Sequence, residues 1–115
     1  MQVRLEMVKN MNIVIREIKS KDYKSVAILW RDVIGAISVT DKMVTVTCEK
    51  MKDDNRYCTF VADVDGKIVG FVTTVETLAM DQPNGYIKVN GLAVLPEFQH
   101  HGIGKMLMER VEKLA

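Results

Sequence analysis

Gln99, His100, His101, Gly102, Ile103 and Gly104 follow one another, and their types suit one task, the holding of an anion. They open a helix. The first backbone N–H groups of a helix have no partner within it, and the helix dipole makes that end partly positive. Gly102 and Gly104 carry no Cβ, so a phosphate or pyrophosphate can come close to those groups. Glycine also suits any strand-to-helix turn, and two glycines alone do not separate these readings. The charge of His100 and His101 near neutral pH depends on their surroundings. Cys48 and Cys58 are too few and too unpatterned for a disulfide framework or a zinc site. They read as reduced, buried thiols of a cytoplasmic protein, and no metal site is expected.

Two elements must position that turn. Before it, Val89-Asn90-Gly91-Leu92-Ala93-Val94 reads as a strand, apolar enough for burial on both faces. Pro96 ends it, because proline donates nothing to a sheet ladder. After it, Ile103, Met106, Leu107, Val111 and Leu114 recur at helical spacing and define one apolar face. Lys105, Glu109, Arg110, Glu112 and Lys113 occupy the rest, with Lys105–Glu109 and Glu109–Lys113 as i,i+4 pairs.

The run L-A-V-x-P-x-x-Q-x-x-G-x-G, preceded by a strand, resembles motif A of the GNAT superfamily of N-acetyltransferases, whose signature is Q/R-x-x-G-x-G/A. Gln99, Gly102 and Gly104 stand in the matching places, and Pro96 and the apolar strand also match. Upstream, Asp65-Gly66-Lys67-Ile68-Val69-Gly70-Phe71 looks like the family's hairpin turn and third strand. The resemblance runs from Ile13 onward. It implies acetyl-CoA as cosubstrate, with the Leu92, Ala93 and Val94 backbone hydrogen-bonding the pantetheine and polarising the thioester carbonyl. Gln99, His100, His101, Gly102, Ile103 and Gly104 would hold the pyrophosphate, and Lys105 would add charge. His100 and His101 depart from the Arg or Lys of many relatives.

Acetyl transfer needs a deprotonated amine, a stabilised oxyanion and a protonated leaving thiolate. Glu76, late on the third strand, and Asn90, on the fourth, are the candidates to face the acceptor cleft. Asn90 takes no proton but can position a water. The family's usual general acid is a tyrosine on the helix after strand five, and Tyr23, Tyr57 and Tyr86 hold no matching position. The acceptor would be chosen by the Gly35–Thr40 and Leu78–Gly85 loops, which carry no diagnostic pattern.

In chain order, residues 1–10 lack a period and read as a leader or early start, and residues 11–115 as the domain. Ile13–Ile18 alternates as a first strand. Ser20 can cap a helix that presents Tyr23, Val26, Ala27, Trp30, Val33 and Ile34 and stops at Gly35. Thr40 or Asp41 can cap a second, with Val44, Cys48 and Met51 inward, although Val44-Thr45-Val46-Thr47 is stiff for a helix. Tyr57–Val64 is a second strand and Asp65-Gly66 a tight hairpin turn. Lys67–Thr77 is a third strand, bent at Gly70, and a loop over Leu78–Gly85 with Pro83-Asn84-Gly85 as its turn leads to Tyr86–Val94. The expected fold is thus α/β (α+β), a GNAT-like, mostly antiparallel sheet in the order β-α-α-β-β-β-α. It lacks the family's C-terminal strand, helix and hairpin. Strand four is left with an open edge; the chain is a fragment, or a second copy supplies the strand.

With 115 residues there is room for one core, and 16 basic against 15 acidic residues give no nucleic-acid footprint. No membrane span or signal peptide is visible. Two functions follow: an enzyme acetylating a primary amine of a small molecule or protein, or a truncated module that binds CoA or a partner strand without turnover. A dinucleotide fold is disfavoured, since G-x-G-x-x-G and its downstream acid are missing.

Overall fold

The computed structural model describes residues 11–114, so the expectation for residues 1–10 lies outside the described part. Strand β1 spans Ile13–Glu17 and a 3-10 turn Ser20–Asp22 leads into helix α1, Tyr23–Leu29, which continues as a π-type turn over Trp30–Ile34. Helix α2 is Asp41–Met51, β2 Tyr57–Val64, β3 Lys67–Ala79 and β4 Gln82–Val94. A 3-10 turn at Pro96–Phe98 precedes helix α3, Ile103–Glu112. The β-α-α-β-β-β-α order is the one expected.

The four strands form one antiparallel sheet in the order β1-β2-β3-β4, sandwiched between α3 and the α1–α2 pair. On the α3 side, Phe60, Val72, Val94, Ile103, Leu107 and Val111 form one core. On the other, Val26, Leu29, Val44, Val61, Phe71 and Ala93 form a second. The alternation of β2 explains why one strand feeds both: Phe60 and Ala62 face α3 while Val61 faces α1. Among the described residues no helix is long and apolar enough to cross a membrane.

One local expectation changes. Ser20 caps nothing. Asp22 does that work: its carboxylate accepts from the Lys19 N–H at 2.8 Å and from Arg16 at 2.7 and 3.0 Å. Arg16 bridges onward to Asp63 at 3.1 Å, tying the start of α1 to β1 and β2. Thr40, not Asp41, caps α2, its hydroxyl accepting from the Met43 N–H at 3.1 Å. The β-branched run is tolerated because Val44 alone points inward and Thr45, Val46 and Thr47 face solvent.

The largest correction is at Leu78–Gly85. No loop exists there. β3 and β4 pair to their tips, Ala79 opposite Gln82, around a two-residue turn at Met80-Asp81. Pro83-Asn84-Gly85 is an irregularity in β4, where the register shifts between Thr77 and Ala79, and a bulge tolerates the missing proline donor. Burial of the fourth strand is also narrower than expected. Ala93 and Val94 are buried, but Val89 and Leu92 are exposed at 37% and 41%.

Candidate functional site

The turn into α3 is built from backbone geometry. The Phe98 N–H donates to Leu95 at 2.9 Å, closing the 3-10 turn after Pro96. His100 and Gly102 then take positive φ, 67° and 85°, which swings the chain into the helix. Among the described residues no side chain caps α3, and its ladder begins with the Met106 N–H donating to Gly102 at 2.9 Å. The N–H groups of Ile103, Gly104 and Lys105 precede that ladder at the positive end of the dipole. A Cβ on Gly102 would meet nothing within 4 Å, and one on Gly104 would meet only Val94 Cγ2 at 4.0 Å. The approach to these groups is open, and a pyrophosphate fits the chemistry of the place. Lys105 is exposed, its Nζ 4.0 Å from Glu109. Nε2 of His101 is buried without a hydrogen-bond partner among the described residues, while His100 is exposed.

β4 meets this turn with one edge open. The Leu95 N–H donates to Val69 on β3 at 2.8 Å, so strand alternation turns the backbone groups of Leu92 and Val94 away from β3. Gln99 takes up one of them: its side-chain amide donates to the Val94 carbonyl at 2.8 Å. The Val94 N–H and both Leu92 groups stay on the edge, next to the N-terminus of α3. Leu92, Ala93, Val94, Gln99, His100, His101, Gly102, Ile103, Gly104 and Lys105 thus form one continuous surface, though not all in the role expected. Gln99 acts as a tie rather than a free donor, and the Ile103 side chain is buried in the core, leaving its backbone to serve.

Glu76 and Asn90 are not brought together. Glu76 borders a hollow of about 990 Å³ on the α3 side, with Thr74, Ile87 and Met108. Asn90 borders a hollow of about 370 Å³ on the α1–α2 side, with Trp30, Val44, Phe71 and Thr73. Asn90 is the extra residue of a bulge, because Thr73 and Thr74 stand opposite Gly91 and Val89.

The smaller hollow reaches β4 where the edge opens. Its floor is Trp30 against Phe71, ring centroids 5.4 Å apart. Trp30 lies against Gly91 so closely that a Cβ there would stand 2.7 Å from Cη2. Periodicity marks Trp30 only as a helix-face residue; the signal for its role is Gly91, since glycine inside a strand often marks close approach. The Ala36–Val39 connection forms part of the wall, pinned by Arg31, which donates to the Val39 carbonyl at 3.1 Å and to Asp41 at 3.0 Å.

Nearby ionisable groups are poorly placed as acid, base or nucleophile. The Tyr23 hydroxyl donates to Glu49 at 2.7 Å, and that bond, with burial, holds its pKa up to about 12. Burial pushes the Cys48 and Cys58 thiols up as well, against the thiolate.

The description "Acetyltransferase (GNAT) family" matches residues 15–115. No curated protein matches the chain. Solved structures share the fold. An aminoglycoside N-acetyltransferase in complex with CoA superposes with a TM-score of 0.78 at 18% identity, over 91% of this chain and 70% of that one. An aminoglycoside antibiotic 6'-N-acetyltransferase from Acinetobacter baumannii gives 0.75 at 17% identity, over 90% and 71%. Glucosamine-6-phosphate N-acetyltransferase from Arabidopsis thaliana gives 0.71 at 17% identity, over 89% and 73%.

Proposed function

The chain belongs to the GNAT family of acetyltransferases, and on that premise we propose that it moves an acetyl group from acetyl-CoA to a primary amine of a small molecule or protein. The observation that carries this reading is the uncapped N-terminus of α3, open at Gly102 and Gly104, beside the unpaired edge of β4 at Leu92 and Val94. One is a place for a pyrophosphate, the other a ladder for an amide-bearing arm.

Each residue then has a task. The N–H groups of Ile103, Gly104 and Lys105 hold the anion, and the Lys105 ammonium adds charge. Leu92 and Val94 hydrogen-bond the arm through their outward backbone groups, and a backbone N–H there draws electron density from the thioester oxygen. Gln99 fixes the distance between edge and turn by holding the Val94 carbonyl. Asn90, at the inner end of the smaller hollow, positions the amine or a water, since its amide both donates and accepts. Acetyl-CoA supplies an activated acyl carbon: the C–N bond forms, the C–S bond breaks, the thiolate leaves with the electron pair, and the amine proton passes to it through water.

A second reading is a module that holds CoA without turnover, favoured by one observation. Among the described residues no Asp, Glu, His or Lys lines the hollow that reaches β4. The test is a thermal shift with acetyl-CoA, followed by thiol release across a panel of amines. Stabilisation with amine-dependent thiol release supports transfer. Stabilisation alone supports the module, and no stabilisation refutes both.

A further inference from the structure

Among the described residues lining the 370 Å³ hollow there is no Asp, Glu, Lys or Arg. Trp30 and Phe71 make its floor, and Val44 and Val26 deepen it. Thr59 and Thr73 already bond each other, hydroxyl to hydroxyl, at 2.8 Å. Met43, also on the lining, is apolar and 50% exposed. Arg31, which pins the Ala36–Val39 wall, is paired with Asp41. The volume lies toward the lower end of the roughly 300–1,000 Å³ range of small-molecule sites.

We propose that this hollow takes the body of the acceptor and selects small primary amines whose body is apolar and uncharged, arylalkylamines above all, against polyamines and amino sugars. This rests on the acetyl-transfer reading and narrows it. A second ammonium carried into the hollow would lose its water and find no carboxylate in return. A phenyl group would instead replace water on Trp30, Phe71 and Met43. The same surroundings act on the reacting nitrogen. Low polarity disfavours the ammonium and favours the neutral amine, whose lone pair forms the C–N bond. The Asn90 carbonyl oxygen can accept one of its N–H bonds and aim it at the edge of β4. An apolar hollow therefore does part of the work of a general base.

Trp30 is the chain's single tryptophan, so occupancy has an optical readout independent of turnover. With acetyl-CoA present, phenethylamine should change Trp30 fluorescence saturably, and spermidine and neamine should not. In turnover, kcat/KM for phenethylamine should exceed that for either polycation by at least about 100-fold, the scale of leaving a buried charge unpaired. Thr47→Glu places a carboxylate on the wall from a solvent-facing helix position. It should raise KM for phenethylamine about tenfold, with kcat and acetyl-CoA affinity unchanged, and improve spermidine. Polycations that bind or turn over as well as phenethylamine would overturn the proposal, as would a Trp30 signal silent to every apolar amine. Acetyl-CoA titrated alone separates the failures: if it does not bind, the acetyl-transfer reading falls first.

Discussion

The side-chain amide of Gln99 donates to the carbonyl oxygen of Val94, 2.8 Å away, and closes the turn that joins β4 to α3. This bond, with that of the Phe98 N–H to Leu95, holds the two halves of the proposed cofactor surface together. Gln99→Ala leaves the Val94 carbonyl to water. It should cost about 1 kcal/mol of stability and, by loosening the turn, weaken acetyl-CoA binding further. Calorimetry with and without acetyl-CoA separates the two. Unchanged cofactor affinity would mean that the turn keeps its geometry without the tie.

Gly104 and Gly102 are not equivalent. Gly102 has φ of 85°, so any side chain there strains the backbone whatever space surrounds it. Gly104 sits in the helix with only Val94 Cγ2 at 4.0 Å from a would-be Cβ. Gly104→Ala should raise stability by about 0.5–1 kcal/mol through helix propensity and keep acetyl-CoA binding. Gly104→Leu should fold equally well yet lose most of the binding, because its side chain would project into the anion's approach. Equal affinity in the leucine variant, by isothermal titration, would move the pyrophosphate elsewhere.

Asp22 should set the acid limit of the fold. Burial alone would raise its carboxyl pKa, but hydrogen bonds from Arg16 and the Lys19 N–H outweigh that and hold it below the ordinary carboxylate range. A carboxylate depressed in the folded state contributes fully above its unfolded pKa, and the contribution fades as pH falls through the folded one. Asp22→Asn should therefore destabilise by about 2 kcal/mol at pH 7, since Arg16 keeps Asp63. The gap to the parent chain should shrink as pH drops below the carboxylate range. A gap independent of pH, in urea melts across an acid series, would count against the ion pair.

Among the described residues β4 pairs only with β3, and Tyr86, Val89 and Leu92 on it are exposed. Such an edge is a template for another strand. We expect a second copy to cover it, with two-fold symmetry, at micromolar concentration. Sedimentation should show the dimer and hydrogen exchange should show protected β4 amides. A well-behaved monomer with those amides protected would sink the idea.

The legible parts of the chain were those governed by local rules. Ile103, Leu107 and Val111, four residues apart, do face the core, whereas Leu114 of the same expected face is exposed, and Asp65 and Gly66 do take the positive φ values, 50° and 92°, of a tight turn. The illegible parts depend on register. Pro83-Asn84-Gly85 has the composition of a turn, yet Ala79 opposite Gln82 makes Met80-Asp81 the turn and the proline stretch an irregularity. Likewise Glu76 and Asn90 were both expected to face the acceptor cleft, and they border hollows on opposite faces of the sheet. Motif spacing marked the Gln99–Gly104 turn but not the direction of the Gln99 amide, which depends on a carbonyl five residues away.

The Asn90 bulge also bears on how this strand can change over generations. Val89 and Gly91 already stand opposite neighbours, Thr74 and Thr73, so the loss of one codon would close the ladder without turning any side chain to the other face. The sheet would survive such a deletion. What would vanish is the added twist of a bulge and the one carboxamide bordering the hollow. Insertion and deletion at this codon are thus a switch that leaves architecture in place and changes only what the cleft can hold.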